Sequence, residues 1–416
     1  MRLSEYDQEC LAGQRGKAAR FALSLLRKVG EASGADQLID VTRAHLVGAY
    51  DAGAANDELL DRLARLEAKV RIPTTLNASS ACLAVHAPGD KGEQDRARGV
   101  VDRYVAMGCR PTLTCAPYHL VDAPEPGECI AWSESNAVVY ANSVLGARTN
   151  HTVQFLDLCA ALTGRIPRAG LYCTERRLAT LEVDVRVLQD ERLRAEGGFA
   201  LLGLWLGRAV PAQAIPLLSG LPEDTTRDEL RALGAAAAAA GSLAMFHALG
   251  LTPEAPDRET ATGGRRVEQQ PVTVEMLEQV ASGFTAPIGA RLAAVCLGTP
   301  HSSLEELRWL ADALELAGHT LRIPLFVSTS RHVMALADAE DLPARLRAQR
   351  TTLLTDTCTY YGQVVPGLAG TVMTDSAKWA WYGGNNLPVQ PVLAGRERCV
   401  ASALAGRVVA PEAGGP

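Results

Sequence analysis

Residues 115–150 of this 416-residue chain concentrate groups that could bind and polarise a small ligand. Cys115 and Tyr118 open the stretch. Trp132, Ser133, Glu134, Ser135 and Asn136 come in one run, and Asn142, Ser143, Arg148, Thr149 and Asn150 follow. The intervening AVVYA is too apolar for a surface loop. It predicts a helix over residues 135–145, with Ser133 or Ser135 as its cap. The first-turn amides of such a helix suit an anion. A capped core helix followed by a polar loop accounts for the same residues without a ligand.

A second set of polar groups lies where strands are expected to end. A short strand over residues 68–73 (AKVRIP) runs into Thr74, Thr75 and Asn77. Later strands end at residues 299–303 (TPHSS), 328–331 (STSR) and 356–358 (DTC). Polar residues just past the carboxyl ends of parallel strands line ligand crevices. Three capped turns explain each loop singly, but not why cysteine, histidine and arginine collect there. His45 lies in the apolar LIDVTRAHLVGAY, where a lone histidine is more often a core residue than a ligand. Arg176 and Arg177 read equally as surface charges or as an anion clamp.

The elements that must position these groups are legible in outline. Amphipathic helices are expected over residues 14–34, 56–66 and 94–107, and a strand over 112–115. The alanine-rich residues 227–249 read as a buried, closely packed helix. Residues 256–271 are polar and flanked by Gly and Pro, and read as a linker. Beyond them strand and helix patterns alternate, which predicts a parallel sheet with helices on both faces. The expected organisation is an N-terminal α/β region over 1–255 in two sub-domains, a linker over 256–271, and a C-terminal α/β sub-domain over 272–416.

Composition excludes several functions. Hydrophobic residues make up 47% and charged residues 21%, and the net charge is −6. There is no basic field to hold nucleic acid or an anionic membrane. No apolar run reaches the roughly 20 residues that span a bilayer. The N-terminus lacks the apolar core of a signal peptide, so the chain reads as cytoplasmic. None of the ten cysteines forms a CxxC pair, which argues against a zinc ribbon or a thioredoxin-type site. Two or three cysteines converging in space could still hold an iron–sulfur cluster. No GxGxxG follows a strand, and GxxxxGK[ST] and GxSxG are both absent.

TCAPYHL, PGECIAWSESNAVVYANSVLGARTN and ALTGRIPRAGLY resemble the aconitase X family. The likeness continues at AHLVGAY, IPTTLNASS, GLTPEA, LGTPHSSLEEL, DTC and MTDSAKWAWY, in order along nearly the whole chain. It implies an aconitase-like α/β arrangement of several sub-domains, with mainly parallel sheets and a central cleft. It implies a hydro-lyase that dehydrates a 3-hydroxy acid with the help of an iron–sulfur cluster. Cis-3-hydroxy-L-proline is the favoured substrate and mevalonate 5-phosphate the alternative; a binding or regulatory protein on the same fold is a third reading. The family pairs this part with a small swivelling domain, so the chain is expected to be the large subunit of a heterodimer, with the catalytic base on the small partner.

The resemblance also implies residues. Cys115 and Cys358 match cluster-associated cysteines. At the third position some members resemble Gly-Cys-Pro-His, where this chain has Thr299. Cys296, three residues upstream, is kept as the third candidate metal ligand, although on a strand it would point away from the face of Thr299; the cluster type is therefore open. Lys378, His301 and Ser376 are expected to act in catalysis. His45, Thr75, Asn77, Tyr118, Ser133, Glu134, Ser135, Asn136, Asn142, Arg148, Asn150 and Arg331 are expected to bind substrate. Lys378 fits equally well as a structural partner for Glu134.

Overall fold

The computed structural model describes residues 1–50, 53–84, 89–152, 155–211, 213–362 and 364–411. Three parallel sheets succeed one another along the chain. The first has the order Thr74–Leu76, Ala44–Leu46, Ala131–Trp132, and all its residues are buried. Full burial is what a parallel sheet covered on both faces requires. The second runs His247–Ala248, Pro216–Ser219, Leu181–Asp184, Glu268–Pro271. The third runs Thr351–Leu354, Leu325–Thr329, Ala294–Ser302, Gly370–Thr374, Val389–Leu393. A short antiparallel pair, Leu38–Asp40 with Arg165–Pro167, accompanies the first sheet. The expected α/β architecture with mainly parallel sheets is present.

Several elements differ from expectation. The strand expected over 68–73 begins only at Thr74, because Val70 and Arg71 donate instead to the carbonyls of Met107 and Ala161. Residues 112–115 join no sheet, although Thr114 N–H reaches Leu76 O. Residues 256–271 are not a plain linker. They form the helix Arg258–Thr262, capped by Asp257, and the edge strand Glu268–Pro271 beside Leu181–Asp184. That strand is exposed along its length, so its sequence carries no apolar signal. The helix expected over 135–145 is α-helical over Ser135–Tyr140 and then widens into a π turn over Ala141–Leu145. Its cap is Glu134, not Ser133 or Ser135. The Glu134 carboxylate accepts from Ala137 N–H at 2.8 Å, so the chain itself fills the place offered to an anion.

The alanine-rich segment is a buried helix, Arg227–Gly241, crossing Gly198–Ala209 at very close range. A Cβ on Gly241 would lie 1.6 Å from Gly207 O, so no larger residue fits there. The crossing fixes Arg231 at the junction of the second and third sheets' units. Arg231 pairs with Glu306 at 2.5 Å and Asp228 at 3.4 Å; Glu306 also pairs with Arg396, and Arg396 with Asp375 at 3.4 Å. Arg177, left open above, is an internal clamp. It is buried, donates to the carbonyls of Asn142, Ala147 and Leu171, and pairs with Glu254. Arg176 is exposed.

Burial pushes the Glu306 carboxyl up, but Arg231 and Arg396 outweigh it and hold its pKa at about 2. A carboxyl depressed below its ordinary value of about 4.3 stabilises the fold above that pH and loses the contribution as pH falls toward 2. Glu306→Gln is therefore expected to cost about 3–5 kcal/mol at pH 6. The gap to the parent should narrow as the pH is lowered from 5 toward 3, as read by urea unfolding across that range.

Candidate metal centre and its crevice

The Sγ atoms of Cys115 and Cys358 lie 3.9 Å apart, although 243 positions separate them in sequence. The ligand atoms of Cys115, His301 and Cys358 all fall within 4.8 Å of one another, and all three residues are buried. Each arrives at the carboxyl end of a sheet. Cys115 follows Thr114, which is tied to the end of the strand Thr74–Leu76. Cys358 follows Thr351–Leu354, and His301 sits near the end of Ala294–Ser302. Two sulfurs on one tetrahedral metal, with bonds of about 2.3 Å, sit about 3.8 Å apart. A disulfide needs about 2 Å. The observed separation fits two thiolates sharing one metal atom.

The electrostatics suit that role. Burial pushes the Cys115 thiol up, but the Cys358 thiol, His301 and Lys378 outweigh it and bring the pKa to about 6. Cys358 is pushed well up, first by its bond to Cys115 and then by burial. His301 N–H donates to Cys115 Sγ at 3.2 Å. His301 Nε2 donates to Thr357 O at 3.0 Å, and Nδ1 lies 3.1 Å from Thr114 Oγ1. Both ring nitrogens are engaged, so that ring can bind a metal only by giving up one of these two bonds.

Beside the thiols Lys378 Nζ meets Glu134 Oε1 at 2.5 Å, both side chains being buried. Burial opposes both charges, yet each holds the other ionised: Lys378 is raised by Glu134, and Glu134 is lowered by Lys378. Asn136 joins this pair to the thiols. It donates to Glu134 and to Cys115 O, and accepts from Tyr118 O–H at 2.6 Å. His45 Nδ1 bonds Thr75 Oγ1 at 2.8 Å, and burial holds the ring's pKa down at about 4, so it is neutral. Asn77 lies beside it, but neither His45 Nε2 nor Asn77 Oδ1 completes a hydrogen bond. Ser79 Oγ and Thr357 Oγ1 are likewise buried without partners among the described residues. Each such atom costs about 1–3 kcal/mol. Open polar atoms at these strand ends are available to a polar ligand. A cleft of about 970 Å³, with Tyr118, Arg231, Thr299 and Ser376 in its lining, borders the group.

Of the residues expected from sequence, Cys115, Cys358, His301, Lys378, Glu134, Asn136, Tyr118, His45, Thr75 and Asn77 come together. Ser376 is committed: its hydroxyl donates to Thr299 O and accepts from Trp379 N–H. Ser135 bonds Glu134 at 3.3 Å and Ser133 bonds Thr152 at 3.1 Å. Asn142, Arg148 and Asn150 are spent inside the fold. Asn142 donates to Thr149 O and Ala244 O, Arg148 to Tyr172 O and Thr174, and Asn150 to Ala169 O. Arg331 is held by both oxygens of Asp356. Cys296 does not join the other two thiols, and burial pushes its pKa up to about 12. His301, not Cys296, is the third potential ligand within 4.8 Å of them. Sequence reasoning missed Thr114 and Thr357, which directly precede the two cysteines, and Arg231, which donates to His301 O at 2.8 Å. Adjacency could have found the threonines; nothing local marks Arg231.

Three family models match in succession: Aconitase X first domain over residues 1–175, second domain over 179–282 and third domain over 292–405. The chain is 39% identical to cis-3-hydroxy-L-proline dehydratase of Pseudomonas aeruginosa, over 98% of this chain and 70% of that protein. It is 34% identical to the phosphomevalonate dehydratase large subunit of Thermococcus kodakarensis, over 92% and 95% respectively. The solved structure of Thermococcus kodakaraensis aconitase X in its holo-form superposes with a TM-score of 0.86 at 32% identity, covering 97% of this chain and all of that one.

If the two convergent thiols are the metal ligands, Cys115→Ser and Cys358→Ser should each abolish tight binding of cobalt(II) and its thiolate charge-transfer absorbance. Cys296→Ser should leave both intact. Anaerobic titration followed by absorbance checks all three.

Proposed function

The chain belongs to the aconitase X family and is a hydro-lyase, and we propose that it dehydrates cis-3-hydroxy-L-proline. Water leaves as the proton on the carbon bearing the carboxylate and the hydroxyl on the next carbon, giving a ring amino acid unsaturated between those two atoms. The observation that carries the substrate choice is that Arg148 and Arg331, the two arginines expected to face substrate, are already committed within the chain. A phosphate ester calls for guanidinium forks or amides. Arg148 is spent on Tyr172 and Thr174, Arg331 on Asp356, and the helix start on Glu134. The mevalonate 5-phosphate reading keeps one specific support: the chain is 34% identical to the Thermococcus phosphomevalonate dehydratase large subunit.

In this reading Cys115 and Cys358 hold an iron–sulfur centre, with His301 donating its amide to one sulfur. When bound, iron supplies Lewis acidity toward the substrate carboxylate and the departing hydroxyl. Lys378, kept charged by Glu134, stabilises the negative charge that grows on the carboxylate as the proton leaves. Neutral His45 and Asn77 offer unpaired buried atoms to the substrate's hydroxyl and ring nitrogen. His45 is the one neutral ring base among these groups, and burial holds its pKa down at about 4, far below that of an effective general base near neutral pH. We assign the base to a small swivelling partner that covers the crevice, excluding water as it closes.

Supplied with iron, sulfide and that partner, the chain should turn over cis-3-hydroxy-L-proline and leave mevalonate 5-phosphate untouched. The reverse preference would overturn the substrate assignment, and activity on neither would overturn the reading of the site. Lys378→Met should lower kcat by about 10²–10³-fold with a smaller change in KM, as steady-state kinetics would resolve.

A further inference from the structure

The long strand Ala294–Ser302 loses register with its neighbour Leu325–Thr329 between Leu297 and Ser302. Bulges of this kind re-aim backbone groups beside active sites. Here the irregular residues are the ones against the thiols. Gly298 makes the turn possible: its φ is +82°, and a Cβ would fall 2.1 Å from Ser328 O. At the far side of the bulge His301 N–H points at Cys115 Sγ, at 3.2 Å. The carbonyl of the same residue accepts from Arg231 Nη1 at 2.8 Å. Arg231 comes from another sub-domain, on the buried helix Arg227–Gly241, and its side chain is 5% exposed. Its orientation is held by Glu306 at 2.5 Å, with the Asp228 carboxylate 3.4 Å away. Ser303, next along the bulged strand, bonds Asp228 as well, at 2.8 Å.

We propose that Arg231 is a positioning residue for the metal centre, acting on Cys115 through the backbone of His301. By holding the His301 carbonyl it sets the direction and length of the N–H···S bond on the other side of that residue. A hydrogen bond to a ligating sulfur withdraws electron density and favours the reduced metal, so its strength sets the reduction potential. A guanidinium can serve two carboxylates and a carbonyl in one fan; a lysine ammonium at the same place cannot. The inference rests on the reading that Cys115 ligates iron.

The test is a redox titration of the iron-loaded protein, followed by visible absorbance, for the parent, Arg231→Lys, Arg231→Met and Arg194→Met. Arg194 lines the same cleft but pairs with Glu229 and Asp224, with no bond to the bulge. Both Arg231 variants should show a lower reduction potential than the parent, with Arg194→Met unchanged. A parent-like potential in the Arg231 variants overturns the proposal, as does an equal shift in Arg194→Met. If Arg231→Met does not fold, Arg231→Lys decides alone by the same criterion. A parent protein that takes up no iron defeats the reading of the site itself, and this inference with it.

Discussion

Glu134 and Lys378 form an ion pair across 244 positions of sequence, and the rest of the crevice depends on it. Neither charge can be buried alone, since an isolated ion removed from water costs several kcal/mol even after relaxation. Each group therefore exists in the crevice only because the other does. The pair locks the start of the helix Ser135–Tyr140 to the start of Ala377–Asn386, one from the first sheet's unit and one from the third's. Once those two helix starts are fixed, the carboxyl ends of their sheets face each other. Asn136 then ties the pair to Cys115 O, and the two thiols meet as a consequence. The charge network of Asp228, Arg231, Glu306, Arg396 and Asp375 does the same work between the second and third units.

Much of the third sheet was legible because its strands are continuous apolar runs followed by capped helices, as in AVCLG and LEELRWLADALELA. The first sheet was harder. Its strands are two or three residues long, and propensity cannot set the bounds of so short an element. Residues 256–271 misled for the opposite reason: an exposed edge strand has the composition of a linker. The Cys115–Cys358 meeting was legible only through the family resemblance, because nothing in local spacing links positions 243 apart.

The polar residues were harder to assign than the elements. Asn142, Arg148 and Asn150 belong to the same dense run as Glu134 and Asn136, and their side-chain types suit an anion equally well. What separates them is direction. The π turn over Ala141–Leu145 carries the chain away from the crevice, and Arg177 then clamps it from behind. Side-chain type reports what a group can bind; only its place in the fold reports whether the chain has already supplied the partner. Cys296 is the same lesson in reverse, a thiol close in sequence to His301 that stays outside the group of possible metal ligands.

The Arg331–Asp356 fork bears on how such a crevice can change its substrate over evolutionary time. Arg331 is 48% exposed, and its two bonds to Asp356 hold the guanidinium away from other anions. Its partner is not free to change, however. Asp356 is fully buried, its second oxygen accepts from Leu83 N–H, and its carbonyl from Ser79 N–H. A substitution that released the guanidinium would also orphan a buried amide and loosen the segment leading to Cys358. Freeing the Arg331 guanidinium for an external anion is thus tied to the integrity of the segment that carries Cys358. It takes at least two coordinated changes rather than a single substitution.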